Sequence, residues 1–130
     1  MLTYLLIFLS SGLGGVLRYW LGHLIQKWWG LNFPLGTLLI NVAGCLGIGF
    51  FATAFSSWLV VREEYRLAVL VGIFGGFTTF SSFGHETINL VRDGELIRAG
   101  LYVTLSVVGG LLAVYLGSSL ASQLFVSRAM

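Results

Sequence analysis

The chain contains four apolar stretches, each long enough to cross a lipid bilayer as a helix. They cover residues from about 2 to 25, 34 to 61, 67 to 91 and 99 to 126. An α-helix rises about 1.5 Å per residue, so about 20 residues cross the ~30 Å hydrocarbon layer. Short charged connectors require neighbouring helices to run antiparallel. The sequence therefore predicts an all-α membrane protein in which residues 1–130 form one four-helix transmembrane domain.

The composition excludes the common soluble classes. Hydrophobic residues make up 57% of the chain and charged residues only 9%, whereas a soluble domain carries about 25% charged residues. Disordered chains are poor in apolar residues, and the single cysteine, Cys45, has no partner for an intrachain disulfide. The net charge of +2 is too small to indicate a nucleic-acid partner. The sequence contains no nucleotide-binding loop or metal-ligand cluster, so nothing in it indicates an enzyme.

The basic residues do not favour one orientation in the membrane. Lys and Arg normally concentrate on the cytoplasmic side. Here the connectors and termini divide them equally: Arg62, Arg66 and Arg128 on one side, Lys27, Arg92 and Arg98 on the other. Two interpretations stay open. Either details such as the N-terminal amine decide the orientation, or the chain inserts both ways and pairs with an inverted copy of itself.

Small residues recur along three of the spans, and in lipid such residues let helix backbones approach closely. They are Ser11 and Gly15 in the first span, Gly72 and Gly76 in the third, and Gly109, Ala113, Gly117 and Ala121 in the fourth. Packing within one subunit explains some of these positions. A homodimer is the smallest assembly that would use the others, and four helices alone leave little room for a water-lined path.

The third span contains a segment that forms a poor continuous helix. Two glycines, Gly75 and Gly76, are followed by two threonines, Thr78 and Thr79. Backbone groups released by a helix break in a membrane must be satisfied by protein, water or an ion. A break here would expose carbonyl oxygens near the membrane midplane, and hard cations such as sodium take oxygen ligands. In an inverted dimer, two such breaks would meet on the symmetry axis.

Three polar residues within the spans have both a structural and a functional interpretation, since polar groups are costly in lipid. Asn41 either cross-links helices by a hydrogen bond or lines a transport path. For Arg18, a role as an anchor or a helix cross-link is favoured over direct contact with a substrate. Glu86 would be the first candidate for proton coupling, but a single acid near a helix end favours a structural carboxylate at the aqueous mouth.

Phenylalanines recur every three residues in the third span, at Phe74, Phe77, Phe80 and Phe83. Such a stripe usually packs against lipid or other helices. An aromatic ring nevertheless has a positive edge, so rings held edge-on to a narrow path would stabilise an anion. Ser82, and Tyr102 and Ser106 on one face of the fourth span, would add hydroxyl donors.

At these positions the sequence resembles the Fluc/CrcB family of fluoride channels. The matching segments are residues 14–19 (GGVLRY), 36–44 (GTLLINVAG) and 75–83 (GGFTTFSSF). Together with the chain length and the number of spans, the resemblance covers essentially the whole chain. The third segment is the most specific, whereas the first alone would be weak evidence.

The resemblance implies an antiparallel, dual-topology homodimer in a bacterial inner membrane, with two parallel fluoride pores. By similarity, Phe80 and Phe83 are the pore phenylalanines and Asn41 is the pore amide. A central sodium ion would be held by main-chain carbonyls of Gly75 and Thr78 from both subunits. The resemblance also implies a polar track along the pore and an arginine at the aqueous vestibule. The track residues are Thr37, Ser82, Glu86, Tyr102 and Ser106, and the vestibule arginine is Arg18.

One departure from the family pattern lies in the fourth span. The position one turn after Ser106 is Gly110, which offers no hydroxyl. If the polar track normally continues there, water or Ser82 must take its place.

Two other functions compete with the channel. A proton-coupled exporter of the small multidrug resistance type is also a four-span inverted dimer, but it needs a titratable acid in its first span. The first span here contains no Asp or Glu, which favours the channel. A non-transporting assembly subunit would explain the small-residue stripes but not the mid-span Gly-Gly with adjacent threonines.

Overall fold

All regular secondary structure is helical over the residues that the structure describes. This computed structural model describes residues 1–29, 32–57 and 60–126. The helices are α1 (Leu2–Trp29), α2 (Leu35–Ser57), α3 (Glu63–Leu67), a π-helical segment (Ala68–Phe74), α4 (Gly75–Phe77), α5 (Phe80–Arg92) and α6 (Leu96–Val126). Within these residues, four helical stretches are long and apolar enough to cross a membrane, the third running from Glu63 to Arg92. The all-α class, with four helices capable of spanning a membrane, is confirmed.

The predicted boundaries differ slightly from the helix ends. Helix α1 continues through Trp29, so Lys27 and Trp28 form its last turn instead of a connector. No glycine or proline follows Gly22 until Gly30, which leaves nothing to stop the helix earlier. Residues 58 and 59 of the second predicted span, Gly30 and Leu31 of the first connector, and Arg128 lie outside the described residues.

Helices α2 and α6 pack through backbone-to-backbone contacts. A Cβ atom added at Gly117 would collide with the carbonyl oxygen of Leu46, and one at Gly49 would collide with that of Val114. The Ser118 hydroxyl also donates to the Gly49 carbonyl over 3.2 Å. Gly117 of the fourth-span stripe is therefore used within the subunit, where Ala113 and Ala121 are also buried.

Helix α1 packs against the third span in the same manner. A Cβ atom at Gly14 would meet the carbonyl oxygen of Ile73, and one at Gly76 would meet that of Ser11. By contrast, a Cβ atom at Gly75 would meet nothing within 4 Å. The contacts with α1 therefore leave one side of this glycine pair open.

Between α4 and α5, two residues have extended backbone geometry. Thr78 has φ −83° and ψ 157°, and Thr79 has φ −149° and ψ 113°. Helix α5 then begins with Thr79 as its N-cap residue, whose side chain accepts a hydrogen bond from the Ser82 N–H. Threonine favours this position because its hydroxyl satisfies an N–H group that lacks a partner in the first turn of the helix.

A tight turn joins α5 to α6. Gly94 has a φ of +78°, which residues with a Cβ rarely adopt. Its N–H bonds to the Val91 carbonyl, and the Glu95 N–H bonds to the Leu90 carbonyl. This turn holds the two helices antiparallel, as the short connector requires, and brings Glu86 on α5 beside Tyr102 on α6.

Candidate functional site

An uncharged groove of about 440 Å³ lies between α2, the third span and α6. No charged side chain lines it among the described residues. Six of the residues predicted for the pore or the sodium site line this groove: Asn41, Gly75, Thr78, Phe80, Phe83 and Ser106. Residues from three spans, far apart in the sequence, thus converge on one surface.

A second, polar cleft of about 470 Å³ lies between α1, α2 and α5. Four other predicted residues line it: Arg18, Thr37, Ser82 and Glu86. Thr79 lines both the groove and the cleft. All the predicted site residues except Tyr102 are therefore divided between two cavities, with the extended Thr79 where they adjoin.

Asn41 holds Thr79 by two hydrogen bonds. Its Nδ2 donates to the Thr79 carbonyl over 3.0 Å, and its Oδ1 accepts from the Thr79 N–H over 2.7 Å. Helix α2 can come this close because Gly44, one turn after Asn41, lies directly against the Thr78 side chain. An amide nitrogen carries two N–H groups, so one donor of Asn41 remains beyond this pairing.

The diverted Thr79 N–H changes the hydrogen bonding of the neighbouring carbonyls. In a continuous α-helix the N–H of residue i donates to the carbonyl of residue i−4. The Thr79 N–H would then bond Gly75, but it bonds Asn41 instead. The Ser82 N–H would bond Thr78, but it bonds the Thr79 hydroxyl over 3.2 Å. Neither the Gly75 nor the Thr78 carbonyl therefore receives its helical donor.

Arg18 acts as a cross-link between α1 and the third span. Its Nε donates to the Gly76 carbonyl over 3.2 Å, while the side chain also lines the polar cleft. This hydrogen bond gives Arg18 a definite partner for the predicted role as a helix cross-link. The position of its side chain in the cleft is also compatible with an aqueous mouth.

Glu86 is held by hydroxyl groups from two other helices. Thr37 of α2 donates to Oε1 over 2.8 Å, and Tyr102 of α6 donates to Oε2 over 2.6 Å. Tyr102 is completely buried, and its ring packs against Phe83 with centroids 5.3 Å apart. Tyr102 is absent from the linings of both cavities. Tyr102 therefore contacts Glu86 and Phe83 from inside the subunit.

Tyr102→Phe is expected to destabilise the fold while keeping the ring contacts. The substitution removes the donor to Oε2 of the half-buried Glu86, and a typical hydrogen bond contributes about 0.5–1.5 kcal/mol to stability. The unfolding midpoint of the detergent-solubilised protein measures this effect. Tyr115→Phe is the matched control, because Tyr115 lies on the same helix but is 69% exposed. Equal stability of the two variants would contradict the assigned role of the Tyr102 hydroxyl.

The two phenylalanines differ in their surroundings. Phe80 is 83% exposed and its ring contacts that of Phe83, with centroids 5.5 Å apart. Phe83 is partly buried and lies between Phe80 and Tyr102. One ring is thus anchored in the subunit, and the other projects from its surface beside the groove.

The Ser106 hydroxyl is buried without a hydrogen-bond partner among the described residues. One turn later, Gly110 faces Cys45, whose Sγ would lie 3.4 Å from an added Cβ atom. Ser82 lines the cleft, whereas Gly110 lines the groove. The Ser82 hydroxyl accepts from the Thr79 hydroxyl over 3.0 Å. Ser82 is one of the two expected substitutes for the hydroxyl that is missing at Gly110. It lies in a different cavity from Gly110 and is already hydrogen-bonded to Thr79.

Sequence reasoning missed the central position of Thr79. Threonine is a favoured N-cap residue, and this general preference was the available signal. It also missed Gln26, whose Nε2 donates to the Phe33 carbonyl and whose Oε1 accepts from the Gly36 N–H. No local pattern indicated Gln26, because its partners lie across the connector between α1 and α2.

Comparison with known proteins gives a consistent set of relatives. One is the fluoride-specific ion channel FluC of Methylocella silvestris, 50% identical over 92% of this chain and 93% of its own. FluC of Paramagnetospirillum magneticum is 51% identical over 90% of this chain and 93% of its own, and FluC of Opitutus terrae is 48% identical over 90% of each. These are names of ion channels and not of enzymes, in agreement with the prediction. With the four apolar helices, they support a multi-pass membrane protein.

The family model described as CrcB-like protein, Camphor Resistance (CrcB), matches residues 5–118. This range contains every residue that lines the groove and the cleft. The chain therefore belongs to the CrcB family.

Proposed function

We propose that this protein is a fluoride-selective channel that lets fluoride leave the cytoplasm passively. The observation that carries the proposal is the 50% identity, over 92% of the chain, with a protein named fluoride-specific ion channel. The groove and the cleft both lie within the part of the chain that matches the family.

The chemistry of the groove supports an anion that must leave as readily as it enters. Fluoride is small and strongly hydrated, so a narrow path must replace its water molecules with hydrogen-bond donors. Fixed charges would hold it too tightly for conduction, and the groove has none among the described residues. The remaining Asn41 N–H, the unpartnered Ser106 hydroxyl and the positive edges of Phe80 and Phe83 provide suitable groups.

We propose that two copies assemble as an inverted homodimer containing two pores in the bacterial inner membrane. One subunit leaves Phe80 83% exposed at the edge of the groove, so a second copy would complete the wall. The equal division of basic residues between the two sides is consistent with insertion in both orientations. The polar cleft with Arg18 and Glu86 would then serve as the aqueous entrance.

We further propose that the interruption of helical geometry at Thr78 and Thr79 holds a structural sodium ion between the two subunits. The residues fit such an ion, because the carbonyls of Gly75 and Thr78 have lost their helical donors to Asn41 and to the Thr79 hydroxyl. The Cβ position of Gly75 also faces open space. Sodium would satisfy these oxygens and tie the copies together.

The purified protein, reconstituted alone into liposomes loaded with fluoride, tests the proposal directly. A fluoride electrode is expected to record rapid efflux once a potassium ionophore removes the electrical limit, and chloride-loaded liposomes are expected to retain their chloride. Slow efflux coupled to proton movement would instead indicate an exporter. No flux from correctly folded protein would favour an assembly subunit.

A further inference from the structure

The pairing of Asn41 with Thr79 imitates a short stretch of β-ladder. One side-chain amide satisfies both the N–H and the carbonyl of a single residue. The residues are 38 positions apart, on different spans. This pairing stabilises extended geometry at Thr79, because the amide gives the N–H an acceptor that replaces its helical partner and gives the carbonyl a further donor.

The pairing also determines what the Gly75 carbonyl can bind. If Asn41 released the Thr79 N–H, that N–H would be free to return to Gly75, its partner in a continuous helix. The carbonyl would then be occupied by a donor. The Thr78 carbonyl lacks its helical donor for a separate reason, because the Ser82 N–H bonds to the Thr79 hydroxyl. Of the two carbonyls proposed as cation ligands, Asn41 thus keeps only that of Gly75 free of its helical donor.

We propose that Asn41 is a positioning residue for the sodium site, in addition to any contact that it makes with the transported anion. It acts through Thr79, by withholding the Thr79 N–H from the Gly75 carbonyl. This inference rests on the proposed function, because it presupposes a cation between the subunits. It makes the amide in the groove and the cation site one coupled unit: loss of the side-chain acceptor weakens cation binding.

The test measures sodium binding through stability and does not use flux. Thermal unfolding of the full-length protein in detergent is followed while sodium chloride replaces choline chloride at constant ionic strength. A ligand that binds only the folded protein raises its unfolding temperature, so the rise in the wild-type protein gives the midpoint sodium concentration. Asn41→Leu, which is nearly isosteric but has no acceptor, is expected to raise that midpoint about tenfold or more, as is typical when a residue supporting a metal ligand is lost.

Two further variants make the result specific. Asn41→Gln keeps the acceptor and the donor of the side-chain amide without adding a charge, and is expected to have a midpoint closer to that of the wild type than to that of Asn41→Leu. Ser118→Ala removes another hydrogen bond between side chain and backbone, the one from α6 to Gly49. It is expected to leave the midpoint unchanged. Asn41→Ala replaces Asn41→Leu if the latter does not fold.

Each outcome decides a different question. An unchanged midpoint in Asn41→Leu, or an equal increase in Asn41→Gln or Ser118→Ala, overturns the positioning role and leaves the sodium site standing. No sodium effect in the wild-type protein overturns the sodium site and the inference together. Fluoride efflux from liposomes, measured on the same preparation, reports separately on the channel function.

Discussion

Phe80→Ile is expected to reduce fluoride efflux by about 10- to 100-fold, which corresponds to about 1.4–2.8 kcal/mol on the barrier. Isoleucine remains apolar but has no positive ring edge, so an anion that has lost water would lose a compensating contact. The fold should tolerate the change, because Phe80 is 83% exposed within one subunit. The measurement is the initial efflux rate per reconstituted protein, with the oligomeric state compared with that of the wild type by gel filtration.

Phe8→Ile is the matched control for this experiment. Phe8 is also strongly exposed, at 75%, but it lies on α1 and does not line the groove. It is expected to leave the efflux rate unchanged. Phe83→Ile should also reduce efflux, with some loss of stability because that ring packs on Tyr102. Wild-type rates in both Phe80→Ile and Phe83→Ile would remove the ring-edge argument.

Gly117→Ala is expected to cause severe loss of folded protein. Its new methyl group would collide with the carbonyl oxygen of Leu46, a backbone atom that moves only if α2 moves. Over-packing of this kind costs about 1–3 kcal/mol or more, which outweighs the gain of about 1 kcal/mol in helix propensity from glycine to alanine. The yield of monodisperse protein and the unfolding midpoint measure the result.

Gly100→Ala is the control on the same helix, since an added Cβ at Gly100 meets nothing within 4 Å. It is expected to be as stable as the wild type, or slightly more stable because of the higher helix propensity of alanine. If Gly117→Ala were equally stable, α2 and α6 would not be held together by close backbone contact.

The two interpretations of Asn41, as a cross-link and as a pore amide, are compatible in the folded chain. One N–H and the carbonyl oxygen of its side chain pair with Thr79, while the residue still lines the groove. Glu86 combines two features in a similar way, since it lies at the polar cleft and is hydrogen-bonded by Thr37 and Tyr102. In both cases the sequence indicated the candidate residue and left its partners open.

The sequence alone was sufficient for the class and the number of spans. Length and hydropathy of a membrane helix are local properties, so they can be recognised from a run of neighbouring residues. The GGFTTFSSF segment at residues 75–83 likewise indicated the family before any contact was known. The small residues of the fourth span predicted close packing, although not which helix would be the partner.

Only the tertiary structure decided how the polar residues pair. Asn41 meets Thr79 from 38 positions away, and Ser82 and Ser106 line different cavities although both were assigned to one polar track. These outcomes depend on the rotation of each helix about its axis and on how closely backbones approach at residues such as Gly44. A periodic pattern along one helix contains no information about the rotation of its neighbour, so a hydrogen bond between spans is determined only when the helices are packed together.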